Sequence, residues 1–179
     1  QIQVELYIPD RFTEGYGPNV KAFHSLSKRN DLIVCIDCGT LAFESISEAN
    51  RLGCDVIIVD HHQGGDKLPD AYALVNPNRQ DETGSYNYLC AASVTFMLIV
   101  AVNRLARSRG KTTTDAIKFL DLVALATVAD VVPLIGLNRA LVLQGLKVMA
   151  RRNRKGLKAL ADIAGMKSFP NCFHLGFLL

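Results

Sequence analysis

The chain lacks several features that would have fixed its class at once. No apolar run approaches the roughly 20 residues of a membrane span, and the N-terminus has neither the basic nor the apolar stretch of a secretion signal. There is no paired cysteine framework either: the five cysteines are odd in number and irregular in spacing, and Cys35, Cys38 and Cys54 lie in or beside apolar runs. That pattern speaks for reduced thiols and a cytoplasmic protein. Strong charge of one sign is missing too, since the formal net charge is only +3, too little by itself to establish a nucleic-acid partner. The sequence contains no internal repeat and no low-complexity tract. What remains is a globular chain of 179 residues, 49% hydrophobic, long enough to bury one sizeable core.

Short apolar segments dominate the first half. "IQVELYI" (residues 2–8) alternates apolar and polar residues, while "DLIVCID" (31–37) and "DVIIVD" (55–60) are continuous apolar runs. All three read as strands, the last two buried on both faces. "AYALVNP" (71–77) reads as a further short strand. Between them lie two helical stretches, one with Pro18 suited to a first turn, the other with Thr40 as N-cap and Gly53 as stop. This β-α-β-α-β order predicts an α/β fold with a parallel sheet flanked by helices. From residue 87 onward the pattern turns helical.

Ligands of open parallel sheets bind beyond the carboxyl ends of the strands. Asp37 and Asp60 stand at such ends, and Asp60 is followed directly by His61 and His62. Carboxylates crowded at a dry edge call for a compensating cation, and a mixed Asp/His donor set suits Mn²⁺ or a similar first-row ion better than Ca²⁺ or structural Zn²⁺. Asp37 taken alone also fits a turn former or helix cap. Asp130, in "ATVADVVPL", interrupts an apolar helix and taken alone reads equally as a turn residue.

"LIVCIDCGT", "VIIVDHHQ" with "LVNPNRQ", and "LVALATVADVVPL" resemble successive motifs of the DHH phosphoesterase superfamily, and within it the RecJ single-strand-specific DNA exonucleases. "YIPDRFTEGYG" and the terminal "HLGFLL" carry the same resemblance, which covers nearly the whole chain. It implies a metal-dependent phosphodiesterase that removes nucleotides from the 5′ end of single-stranded DNA in repair and recombination, with a single-strand-binding protein or a helicase as further partners and no membrane. Two Mn²⁺ or Mg²⁺ ions would sit about 3.5–4 Å apart. Asp37 would be shared by both ions, and His61 and Asp130 would each ligate one. Asp60 would support its neighbours by hydrogen bonds, and His62 would face the scissile phosphate. Apart from the resemblance, Arg79 and Arg11 are candidates for contact with substrate.

Two parts of the family pattern are not matched. Its Asp-x-Asp motif on a first strand has no counterpart, since the acids before Asp31 are Glu5, Asp10 and Glu14, and its C-terminal nucleic-acid-binding domain is absent. The chain therefore reads as the middle of such a protein, a single incomplete domain over 1–179 with a sheet part (1–86) and a helical part (87–179), expected to be inactive alone. Other readings in view are a DHH-type phosphatase, a nuclease of very short oligonucleotides, and a non-catalytic DNA-binding or scaffolding relative. The Cys35-Ile-Asp-Cys38 spacing reads as core packing, and His24 and His174, without metal-ligand spacing, read as structural. The basic group Arg151, Arg152, Arg154, Lys155 and Lys158 suits either a helix end or DNA phosphates.

Overall fold

The computed structural model describes residues 3–166 and 168–179. The chain divides into two compact units, Gln1–Thr83 and Gly84–Leu179, close to the change of character expected after residue 86.

In the first unit, helix α1 (Val20–Ser27) leads into strand β1 (Leu32–Ile36), helix α2 (Phe43–Arg51), strand β2 (Asp55–Val59) and strand β3 (Ala73–Val75). The three strands run parallel in the order β1-β2-β3. Their β-branched content favours the pleated backbone, and α2 supplies the crossover that parallel neighbours require. α1 is capped by the Asn19 side chain, which accepts from the Ala22 N–H, so Pro18 stands just outside the helix rather than in its first turn. α2 ends where Gly53 adopts φ +76, a conformation glycine reaches without strain. Both helices cover the same face of the sheet, burying Phe23, Cys35, Ile46, Ala49, Cys54, Val56 and Ile58.

Two expectations fail here. β1 is buried on one face only: Ile33 and Cys35 turn toward the helices, whereas Leu32, Val34 and Ile36 are 47%, 46% and 53% exposed. The continuous run "LIVCI" says that both faces are apolar, not that both are covered. The strand expected over residues 2–8 is not formed in its described part, 3–8, where Val4, Leu6 and Ile8 are exposed. Alternation without a pairing partner does not make a strand; Ile2 lies outside the described residues.

The second unit is helical: α3 (Ala91–Ser108), a 3₁₀ turn over Ala116–Phe119, α4 (Leu120–Ala129), α5 (Gly136–Ala150), α6 (Lys155–Ile163) and α7 (Cys172–Phe177). By length and apolar composition α3 would suffice to cross a bilayer. In this fold it buries Ala91, Val94 and Phe96, and Asn103 Nδ2 donates to the Thr114 carbonyl. One apolar cluster gathers Ala124, Val142, Leu146, Met149, Leu157 and Leu175, and another Phe96, Leu120, Val123 and Leu141. α4 is apolar on nearly every side and buries Leu120, Val123, Ala124 and Thr127, while Leu122 stays 40% exposed. Its one buried acid, Asp121, is gripped by the Nε and Nη2 donors of Arg154 at 2.8 and 2.9 Å. Arg154 thus does structural work, and the basic group proves to be the corner between α5 and α6. Arg151 caps α5, Arg152 pairs with Asp162, and Lys155 opens α6. Asn171 and His174 close a reciprocal cap at the start of α7, and His24 in the first unit pairs with Glu48 at 2.5 Å.

Candidate metal centre

The register brings the strand ends level. Ile36 pairs with Val59 and Val59 with Val75, and the ladder runs one residue further: the Asp37 N–H donates to the Val59 carbonyl at 2.9 Å and the Asp60 N–H to the Val75 carbonyl at 3.0 Å. Asp37, Asp60 and Asn76 therefore occupy equivalent places on adjacent strands, where the chain leaves the sheet. Asp37 does so in the left-handed region, at φ +62, which aspartate tolerates better than most residues. Gly39, at φ +114, follows it so tightly that a Cβ would come within 3.3 Å of Cys35 and Ile58.

Around this edge the side chains converge. Asp37 Oδ1 lies 3.3 Å from His61 Nε2, with Asp37 60% and His61 13% exposed. Asp37, His61 and His62 each bring one donor atom into a group no more than 4.8 Å across. An oxygen and two imidazole nitrogens so placed, open to solvent on the Asp37 side, fit a first-row divalent ion. Cys38 is adjacent, but its neighbour Cys35 is buried; the hydrogen bond between the two thiols, together with that burial, pushes Cys35 well above the ordinary thiol range.

Asp60 is not aimed at the open space. It is 1% exposed and spends all its acceptor capacity locally. One carboxylate oxygen receives the Thr40 N–H at 3.0 Å and the Thr40 hydroxyl at 2.6 Å; the other receives the His61 N–H at 2.8 Å and His62 Nδ1 at 2.7 Å. Thr40 thus serves the carboxylate and not the helix it was expected to cap; α2 starts at Phe43 without a side-chain cap. An ionised carboxylate only accepts, so His62 carries its hydrogen on Nδ1.

Burial by itself would raise the Asp60 pKa, but the Thr40 hydroxyl, the His62 ring and the N–H groups of Thr40 and His61 outweigh it and hold the carboxyl at about 2. In the unfolded chain it titrates near about 3.9. The folded value is the lower one, so the ionised form stabilises the fold above the unfolded pKa, and that contribution is lost as the pH falls through the folded pKa. On the order of 2 kcal/mol should disappear between about pH 5 and pH 2. Urea unfolding at about pH 6 and about pH 3 checks this. An Asp60→Asn variant that loses as much stability over that interval as the parent would show that another group carries the effect.

The remaining site residues are placed as follows. Asp130 is the C-terminal cap of α4 in the second unit; its N–H donates to the Ala126 carbonyl at 2.9 Å, and Val131 after it turns back at φ +56. Arg79 is engaged within its own loop, with Asp81 at 2.8 and 2.5 Å and the Leu74 carbonyl at 3.0 Å. Sequence reasoning overlooked Asn76, 3% exposed, whose amide nitrogen donates at 2.8 Å to both the Thr40 hydroxyl and the His62 carbonyl. A signal was present in "NPN" directly after a strand, but asparagine beside proline also reads as an ordinary turn.

A profile described as the DHH family, N-terminal domain, matches residues 1–127. Among curated proteins, the single-stranded-DNA-specific exonuclease RecJ of Bacillus subtilis is 42% identical over 164 residues, covering 91% of this chain and 20% of that protein. RecJ of Salmonella typhimurium is 38% identical over 169 residues, covering 90% of this chain and 29% of that one. The chain thus spans less than a third of the length of these relatives. Among solved structures, an exonuclease RecJ bound to manganese superposes with a TM-score of 0.80 at 30% identity, over 96% of this chain and 42% of that chain. RecJ from Thermus thermophilus in complex with Mn²⁺ gives 0.72 at 28%, over 89% and 23%.

Proposed function

Because the chain belongs to the DHH family, we propose that it supplies the metal-binding core of a single-strand-specific DNA exonuclease, which hydrolyses phosphodiester bonds from the 5′ end with two Mn²⁺ or Mg²⁺ ions. The observation that carries this reading is the meeting of Asp37, His61 and His62 at the level ends of β1 and β2. Asp37, His61 and Asp130 are the residues that would hold the ions, Asp37 as the ligand common to both and His61 and Asp130 on one each. When bound, the ions supply an activated water and positive charge for the phosphate. His62 would face the scissile phosphate, while Asp60 fixes that ring through Nδ1 and stays out of the chemistry. Arg79, once released from Asp81, is a candidate phosphate contact.

The biological setting we assign is DNA repair and recombination in the cytoplasm, supported by the single-strand specificity in the relatives' names and by five free cysteines. A single-strand-binding protein or a helicase, either of which delivers a free single strand, is the matching partner class.

Two ions held close together repel, and the matched residues offer few charged ligands for both. This 179-residue chain is therefore expected to bind one Mn²⁺ weakly and not to turn over DNA. Isothermal titration with Mn²⁺, beside a form extended upstream, tests both halves of the reading. The extended form should bind two ions and degrade single strands, but not duplexes, from the 5′ end. Failure of every extended form to do so overturns the exonuclease reading. Tight binding of two ions with turnover by the 179-residue chain would mean that a further acid here, such as Asp10 or Asp66, completes the site.

A further inference from the structure

We propose that Asn76 and Asn78 are positioning residues for the two histidines of the site, each holding one histidine's peptide carbonyl so that the rings stay aimed at the Asp37 edge. The proposal rests on the metal-binding reading above and extends it to residues that touch neither ion nor substrate.

After Asp60 the β2 chain leaves the ladder, and the carbonyls of His61 and His62 lose the partners a strand would give them. A buried or half-buried carbonyl still needs a donor. Asn78 Nδ2 donates to the His61 carbonyl at 2.5 Å, and Asn76 Nδ2 donates to the His62 carbonyl at 2.8 Å. Two consecutive carbonyls are thus met by two amides spaced one residue apart. Pro77 between them has no N–H and a fixed φ. The Asn78 N–H closes the turn around it by donating to Asn76 Oδ1 at 2.8 Å. Because that N–H can only donate, the atom it meets is the amide oxygen, and the other atom of Asn76 must be the nitrogen. Asn76 therefore also donates to Thr40, whose hydroxyl is left to donate to Asp60. The contact continues at Gly64, whose N–H donates to the Asn78 carbonyl at 3.0 Å and whose Cβ, if present, would sit 3.3 Å from the Arg79 Cα.

Fixing a peptide plane fixes the torsions on either side of it, and with them the direction of Cα–Cβ. The His62 ring is tied at 2.7 Å to the buried Asp60, and the His61 ring faces the exposed Asp37 at 3.3 Å. Asn78, only half-buried, is the better of the two asparagines to alter.

The test is the Mn²⁺ affinity of this chain, read from the electron paramagnetic resonance signal of the free ion, for the parent, Asn78→Asp and Asn78→Ala, with folding checked by circular dichroism. A carboxylate added near a cation tightens binding by charge alone. Losing the amide donor frees the His61 peptide and weakens it, by about tenfold for residues that orient ligands. The two effects have opposite signs, and a merely space-filling asparagine would show only the first. Weaker binding in both variants supports the proposal. Equal or tighter binding in folded Asn78→Ala, where no charge is added, or binding tighter than the parent's in folded Asn78→Asp, overturns it while leaving the metal site standing. A parent chain that takes up no Mn²⁺ at all overturns the site and the positioning together.

Discussion

Asparagine in place of Asp37 is expected to lower exonuclease turnover by about 10³-fold or more, with the fold intact. Asp37 is the ligand assigned to both ions, so its loss weakens both at once, and a neutral amide oxygen cannot balance two dications. Asparagine is the informative substitution because of the backbone: at φ +62, alanine would add strain of about 1–2 kcal/mol, whereas asparagine is at home there. With Asp37 60% exposed, little packing is lost either way. Degradation of a 5′-labelled single strand by an active extended form, beside circular dichroism of the same preparation, is the measurement. Ordinary activity in the folded Asp37→Asn protein would rule out a shared-ligand role.

Gly145→Ala should destabilise the helical unit by about 3 kcal/mol. Gly145 lies on α5 where it meets α4, and a Cβ there would fall 2.1 Å from the Leu120 carbonyl oxygen and 2.5 Å from the Ala124 Cβ. Neither neighbour is the mobile end of a side chain, so relief requires the helix axes to part, loosening the apolar clusters on both sides. Alanine's better helix propensity, worth about 1 kcal/mol, offsets only part of this. Gly156→Ala in α6 meets nothing within 4 Å and should instead stabilise slightly. Urea midpoints for the two variants should move in opposite directions; a Gly145→Ala protein with the parent's midpoint would refute the close approach.

Local chemistry was the legible part of this sequence. The positions of Asp37, Asp60 and the two histidines at strand ends could be read because an apolar run that stops at a charged or turn-forming residue marks its own end. Contacts distant in sequence left no such mark. Nothing near Arg154 announces Asp121, 33 positions away, so a cation that closes a buried pair looked like one more member of a basic patch. Thr40 carried every sign of a helix cap and was taken by a carboxylate 20 positions on, a competition that propensity does not weigh. The exposed face of β1 was illegible for another reason: hydrophobicity records what a residue would prefer to touch, not whether anything is there.

The level ending of the three strands has a consequence for how this segment can vary. Neighbouring strands lie about 4.8 Å apart and successive residues face opposite ways, so the sheet acts as a ruled grid that sets the spacing of Asp37, Asp60 and Asn76. On such a grid there are no small displacements. Deleting or inserting one residue inside β1, β2 or β3 moves a functional group to the other face of the sheet in a single step. The loop over residues 80–87 carries no strand register, and length changes there do not touch the grid. Variation in length should therefore be all but forbidden between Leu32 and Ile36, Asp55 and Val59, and Ala73 and Val75, and freely admitted a few residues later.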